Sequence, residues 1–199
     1  NSGLSKRLQA AFSERWQHEG GALAFFRHAD DQQQLPQLKK LSSNDNQLVF
    51  LALGADKARI VRPYIATDVP IFATSQVYTG NDNTLLNNDL NEIRFVDMPW
   101  LLQFDHPAVM AYRQNRTIKN MDMERLYALG IDAFRLMTHL LDPLFINEIS
   151  FDGVTGFVRA APANQFIREP VSAQFIQGQV QLLDIQRTIP ASVAPQSEP

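Results

Sequence analysis

The chain has 199 residues, 45% of them hydrophobic and 20% charged, with a formal net charge of −3 and no cysteine. These values exclude a disordered polymer and allow one domain of ordinary size or two small lobes. The slightly acidic balance gives no general attraction to nucleic acid or to an anionic membrane. The lack of cysteine removes disulfides, thiolate metal sites and a cysteine nucleophile together.

No apolar run approaches the ~20 residues needed to cross a bilayer. Asn1 to Leu8 lack the basic, apolar, small-residue order of a signal peptide, so any export signal is expected upstream.

Leu4, Leu8, Ala11, Phe12 and Trp16 recur at helical spacing, and Gly20-Gly21 should stop that helix. Ala22 to Phe26 has the length of a short strand. Leu35 to Leu41 predicts a modest helix with Pro36 near its start. Leu48 to Leu53 has no polar alternation, as expected of a strand covered on both faces of a parallel sheet. Ala58, Val61 and Ile65 then mark a helix face that Pro63 should kink or end. Val69 to Ala73 and Glu92 to Val96 predict two further strands. Helices and strands alternating over short connections favour an α/β fold, a parallel sheet with helices on both faces.

After Trp100 the alternation breaks. Pro107 should open a helix toward Asn115, and a longer helix should follow from Asp122 to Leu141. The apolar face of the longer helix is Met123, Leu126, Tyr127, Ile131, Phe134, Met137 and Leu141. Asp122 is its expected N-cap and Asp142-Pro143 its expected end. Two helices without an intervening strand mark a change of lobe. Strand-like texture returns at Phe157 to Ala161, Gln165 to Arg168, Ala173 to Ile176 and Val180 to Asp184. Gly153 and Gly156 indicate tight turns, and Gly178 a hairpin. Pro190 to Pro199 is expected to be a disordered tail.

Motifs for covalent chemistry are missing. Ser75 follows a strand but lacks the flanking glycines of a nucleophile elbow, and reads as a loop or cap serine. His18, His28, His106 and His139 have no metal-ligand spacing, although His139 suits a satisfied core position. Gly80 to Glu92 resembles a calcium loop only at Asn81, Asn83 and Glu92; Leu85 and Leu86 occupy positions that need an oxygen and a glycine, so the asparagines read as turn and cap formers. No glycine loop opens a helix for phosphate. Asp30-Asp31 leads into a glutamine run typical of a solvated loop, and Asn115-Arg116-Thr117 matches a glycosylation sequon by letters alone. The chain is therefore expected to bind without catalysing, with no cofactor and no metal.

Asp97-Met98-Pro99-Trp100-Leu101-Leu102 stands apart, because it follows a strand where the chain leaves the first lobe. Two readings stay open: hinge packing, or a contact at the carboxyl ends of the strands, where open α/β sheets bind ligands. The candidates for a cleft or partner contact are Ser75, Tyr78, Asp97 and Trp100.

Several stretches in this order carry a resemblance. They are Arg62-Pro63-Tyr64, Val69-Pro70-Ile71-Phe72-Ala73-Thr74-Ser75, Tyr78-Thr79-Gly80, Asp89 to Phe95, Asp97 to Leu102, Leu126 to Ala133 and Phe151-Asp152-Gly153-Val154-Thr155-Gly156. Together they resemble the C-terminal domain of the LpoA lipoproteins (LppC family), outer-membrane activators of a class A penicillin-binding protein. That domain is similar in fold to the type I periplasmic solute-binding proteins.

The resemblance implies a three-layer parallel-sheet lobe from 1–102 and 146–189, with 103–145 supplying helices of the other lobe. It also implies that the chain is a fragment, with a first lobe, a leading strand, a helical-repeat domain and a lipidated cysteine upstream. The helices of 103–145 should then carry uncovered apolar surface. The implied function is contact activation of a peptidoglycan synthase on the periplasmic side of the outer membrane, reached by the upstream lipid anchor. The alternative is a periplasmic solute-binding protein for an amino acid or similar small molecule, which rests on fold analogy.

Overall fold

Short apolar runs between turn residues build the centre of the protein. A computed structural model describes residues 3–23, 35–40, 46–80, 83–112, 120–141, 149–163 and 165–183. Helix α1 is Gly3–His18, followed after an interval by a 3-10 turn at Leu35–Lys40 and strand β1 at Val49–Leu51. Helix α2 is Ala55–Val61, and Pro63 sits in the 3-10 turn Arg62–Tyr64 that ends it. Then come β2 (Ile71–Ala73), α3 (Thr84–Asn88) and β3 (Ile93–Asp97).

These three strands lie parallel, pairing Val49 with Ile71 and Ile71 with Ile93. Residues alternate across the sheet as the strand period requires. Ile71, Ala73, Ile93 and Phe95 are buried on one face against Ala55, Ala58, Val61, Leu35 and Leu38. On the opposite face Phe12 of α1 stacks on Phe50, with ring centroids 4.0 Å apart. Helices thus lie on both sides of the sheet, giving three layers.

The second half departs from the alternation. Helix α4 is Pro99–Leu102, α5 is Pro107–Tyr112 and α6 is Met121–Leu140. A separate antiparallel sheet follows, made of β4 (Ser150–Asp152), β5 (Phe157–Ala161) and β6 (Gln165–Glu169). The chain then returns to the main sheet as β7 (Val171–Ile176) and β8 (Gln179–Leu182), giving the order β1-β2-β3-β7-β8.

The sheet is therefore mixed and not wholly parallel. Strand β7 runs antiparallel to β3, pairing Ala173 with Phe95, because it enters from the small sheet without a crossover helix. Gln177 (φ 51°) and Gly178 (φ 73°) form the turn into β8. Two successive positive φ values match the twist of a tight hairpin, and the Thr84 backbone fills the space where a Gly178 side chain would start.

Three other expectations change. Leu35–Lys40 is a 3-10 turn in place of an α-helix. Ala22 and Leu23 are not in a strand, and the rest of that run lies outside the described residues. The N-cap of α6 is Asn120, whose side chain accepts hydrogen bonds from the Asp122 and Met123 backbone N–H groups. Asp122 instead sits in the first turn, where a carboxylate suits the helix dipole. His28, Asp30-Asp31, Asn81, the sequon, Asp142-Pro143 and the 190–199 tail lie outside the described residues.

Candidate functional site

The sequence points to the strand ends around Asp97 and Trp100, and the structure brings one turn of α6 against them. The inward face of α6 is not its apolar stripe. Its buried residues are Glu124, Ala128 and Asp132, spaced by four and hence on one side of the helix. Most of the stripe is exposed instead: Met123, Leu126, Tyr127, Phe134, Met137 and Leu141 all face outward. Periodicity locates a stripe but does not say what packs on it. Here the packing is done by charged groups, each of which must find partners when buried.

Arg125 collects three of the four candidate residues. Its Nη2 donates to the Ser75 carbonyl at 2.9 Å, the Tyr78 carbonyl at 3.0 Å and Asp97 Oδ2 at 2.7 Å. Its Nε donates to Asp97 Oδ1 at 3.3 Å, and Nη1 donates to Asp122 Oδ1 at 2.9 Å. The Asp97 carboxylate is 1% exposed, so the pair is shielded from solvent. Burial alone lowers the Arg125 pKa. Hydrogen bonds and Coulomb attraction from Asp97, then Asp122, outweigh it and hold the guanidinium above its ordinary value.

The fourth candidate meets the preceding residue. Trp100 is fully buried, and its Nε1 donates to Glu124 Oε2 at 2.8 Å. Its backbone N–H donates to the Val154 carbonyl at 2.9 Å. Pro99 starts α4 at a position where its missing N–H costs nothing, which sets the tryptophan against Val109, Ala128 and Val154. Tyr78 packs against both this cluster and the main core, and stacks on Phe95 with centroids 5.7 Å apart.

Two turns further along α6, Asp132 grips the Phe151-to-Gly156 segment. Asp132 Oδ1 accepts from the Val154 N–H at 3.1 Å; Oδ2 accepts from the Thr155 N–H and the Thr155 hydroxyl, both at 2.7 Å. Gly153 is required beside it, because an added Cβ would collide with the Asp132 carboxylate. Arg135 lies over the Phe151 ring at 4.6 Å and donates to the Asp152 carbonyl at 3.0 Å. His106 Nε2 lies 3.1 Å from Asp152 Oδ2, and His139 stacks on Phe151.

Sequence reasoning missed Glu124, Arg125 and Asp132. The available signal was spacing: Glu124 and Asp132 stand eight residues apart, on the same side of the helix as Ala128, and Arg125 adjoins Glu124. Asn83 does cap α3, accepting from Leu85 and Leu86. Ser75 opens a 3-10 turn whose N-cap is Thr74.

Chemically, this is a lock. Each buried carboxylate accepts hydrogen bonds from fixed donors, and the candidate residues are held by α6. Among the described residues, no three histidine or acidic side chains converge as a metal site. No described helix is long and apolar enough to cross a membrane.

Comparison with known proteins places this architecture. A structure described as a "putative branched-chain amino acid ABC transporter" from Chromobacterium violaceum is 32% identical, with a TM-score of 0.71, covering 87% of this chain and 56% of that one. The LpoA C-domain from Haemophilus influenzae, described as a regulator of PBP1A, is 20% identical with a TM-score of 0.70, covering 92% of this chain and 59% of that one. These likenesses fit a fold of the type I periplasmic-binding-protein kind.

The penicillin-binding protein activator LpoA of Yersinia pseudotuberculosis is 25% identical over 151 residues, 73% of this chain. The chain spans about 23% of that relative's length. The Haemophilus influenzae LpoA is 23% identical over 162 residues, covering 79% of this chain and 28% of the relative. These relatives are named as activators and not as enzymes. The model of the family described as "LppC putative lipoprotein" matches residues 1–178, and the chain belongs to that family.

Proposed function

We propose that this chain is part of a non-enzymatic regulator of peptidoglycan synthesis that activates a class A penicillin-binding protein by direct contact. The observation that carries the reading is the family match over residues 1–178, whose curated relatives are named penicillin-binding protein activators. In this reading the protein works on the periplasmic side of the outer membrane, held there by a lipid anchor. Residues 1–102 and 146–189 form one lobe and 103–145 contribute helices to another. Ser75, Tyr78, Asp97 and Trp100 form the cleft-side lock that fixes α6 to the strand ends.

Activation by contact requires tighter binding to the active state of the synthase than to the inactive one. A rigid docking surface favours that difference, because less ordering is lost on binding. The buried ion pair between Arg125 and Asp97 and the grip of Asp132 supply such rigidity. The test adds the intact protein to the cognate synthase and follows glycan polymerisation and peptide crosslinking. A rise in either rate supports the proposal; no change in both sinks it.

A second reading, a solute-binding protein for an amino acid, is favoured by the 32% identical transporter-type structure. Against it, Asp97 is occupied by Arg125 and the Trp100 N–H by Glu124, so neither is presented to a solute. A thermal-shift screen across amino acids, sugars and muropeptides separates the readings, since specific binding raises apparent stability.

A further inference from the structure

The hydrogen bonds of α6 divide by destination. The main sheet and α2 pack around one apolar cluster, while α4, α5, α6 and the small sheet pack around two others. The chain passes between these two bodies at Asp97-Met98, where β3 gives way to α4, and at Glu169-Pro170-Val171, where β6 gives way to β7. A few residues at the ends of elements are what a hinge needs to absorb a rotation.

Most polar ties of α6 stay inside the second body. Glu124 to Trp100, Asp132 to the Val154-Thr155 turn and Arg135 to the Asp152 carbonyl hold that body together and leave its tilt open. Arg125 is different. Its Nε and Nη2 donate four hydrogen bonds across the division, to the Ser75 and Tyr78 carbonyls and to both oxygens of Asp97. Its Nη1 is held by Asp122 of its own helix, which aims the guanidinium.

Both crossings meet α6. Asp97 is the last residue before the first crossing, and its Oδ1 also accepts the Met98 backbone N–H at 2.9 Å. Arg125 therefore grips the chain where it would turn. At the second crossing, Asp132 holds Val154 and Thr155, and Gly156 lies so close to the Glu169 carbonyl and Pro170 that a Cβ has no room. The two anchors are seven residues apart, about 10 Å along the helix. A rod fixed at two points sets an angle. The apolar contacts across the division, Tyr78 against both clusters and Leu102 of α4 against the main core, are tolerant of small rotations because burial is non-directional.

We propose that α6 is a splint across this hinge and that Arg125 is its releasable end, the positioning residue that sets the angle between the two bodies. The Arg125 side chain is 12% exposed and its partner Asp122 72%, so water can take over its bonds when it lets go, whereas the Asp132 side chain is buried. The proposal goes beyond the activator reading and does not rest on it.

The chain has no cysteine, so pairs of nitroxide labels can be placed on it without side reactions. Leu85→Cys with Met137→Cys spans the two bodies, and Met137→Cys with Arg168→Cys lies within the second; all three positions are exposed. Distances are read by double electron–electron resonance in the 199-residue chain with Arg125 intact, with Arg125→Met and with Arg125→Lys. Methionine removes every donor. Lysine keeps the charge and lacks the planar fork that reaches Asp97 and two carbonyls together. A narrow distribution between the bodies is expected with Arg125 intact. Each variant should broaden it at least about twofold or move its maximum, with the distribution inside the second body and the helix content unchanged.

An unchanged between-body distribution in a folded variant overturns the proposal. So does equal broadening of the pair inside the second body, which would mean that Arg125 packs α6 and does not set its tilt. A broad between-body distribution with Arg125 intact overturns it as well. Unfolding of both variants does the same, since each body is held to have its own core.

Discussion

Replacing Asp132 with alanine removes the acceptor of four donors at once, Arg135 Nη1 at 3.3 Å and three in the Val154-Thr155 turn. The Thr155 hydroxyl and the Thr155 and Val154 backbone N–H groups all point at this carboxylate, which is 4% exposed as a residue. Hydrogen bonds to a charged group contribute about 1.5–3 kcal/mol each, and buried donors left unpaired add a desolvation penalty. The terms overlap, because the segment relaxes once released, so the expected loss is about 3–5 kcal/mol. Against a total of about 5–15 kcal/mol for a typical domain, Asp132→Ala should fold but only marginally.

Urea denaturation followed by circular dichroism at 222 nm measures this, with an unchanged m-value expected if the native fold persists. Asp132→Asn should fall between wild type and alanine, because its amide keeps one acceptor and turns an NH2 group toward a donor. Thr155→Val should cost only about 1 kcal/mol, and the double variant should show coupling. A loss below about 1 kcal/mol for Asp132→Ala would refute the reasoning that α6 is held by its polar face.

Arg125→Met strands the buried Asp97 carboxylate and should destabilise by about 3–5 kcal/mol in the same denaturation assay. The pKa of Arg125 is raised, so its contribution is fully present below the ordinary arginine value and is lost only as pH rises through the higher folded value. Denaturation midpoints near neutral pH should therefore show no step from this group. Trp100→Phe deletes the donor to Glu124 in a buried site and should lose about 2–3 kcal/mol, with part regained in the Trp100→Phe, Glu124→Leu double variant. Gly178→Ala pushes a Cβ against the Thr84 backbone at positive φ, and a drop of about 2 kcal/mol measured by thermal melting is expected.

The lock gives the charged residues of α6 a definite task. An amphipathic helix on a globular protein normally turns its apolar stripe inward. Here Glu124, Arg125 and Asp132 tie the helix to four segments: Trp100 of α4, the Ser75–Val77 turn with Tyr78, the strand end at Asp97, and the Val154-Thr155 turn. Directional bonds to backbone groups fix orientation more tightly than apolar contact does, since apolar burial is insensitive to small rotations. The outward stripe is thereby presented at a fixed angle.

By itself the sequence determined several of the elements. Apolar runs of strand length located β1, β2 and β3, the helical period located α6, and Gly178 located the β7–β8 hairpin, because each signal is local and written in side-chain type. It also drew attention to Ser75, Tyr78, Asp97 and Trp100 as residues at strand ends. Only the tertiary structure decided that β7 runs antiparallel beside β3, that the small sheet stands apart, that Glu124 and Arg125 close on those strand ends, and that Asp132 closes on the Val154-Thr155 turn. Strand direction depends on the route of the chain, and the charged triad meets partners 22 to 50 residues away in sequence. The facing of α6 was hidden for the same reason: a stripe shows which residues avoid water, while hydrogen-bond partners scattered along the chain decide which side of the helix the protein holds.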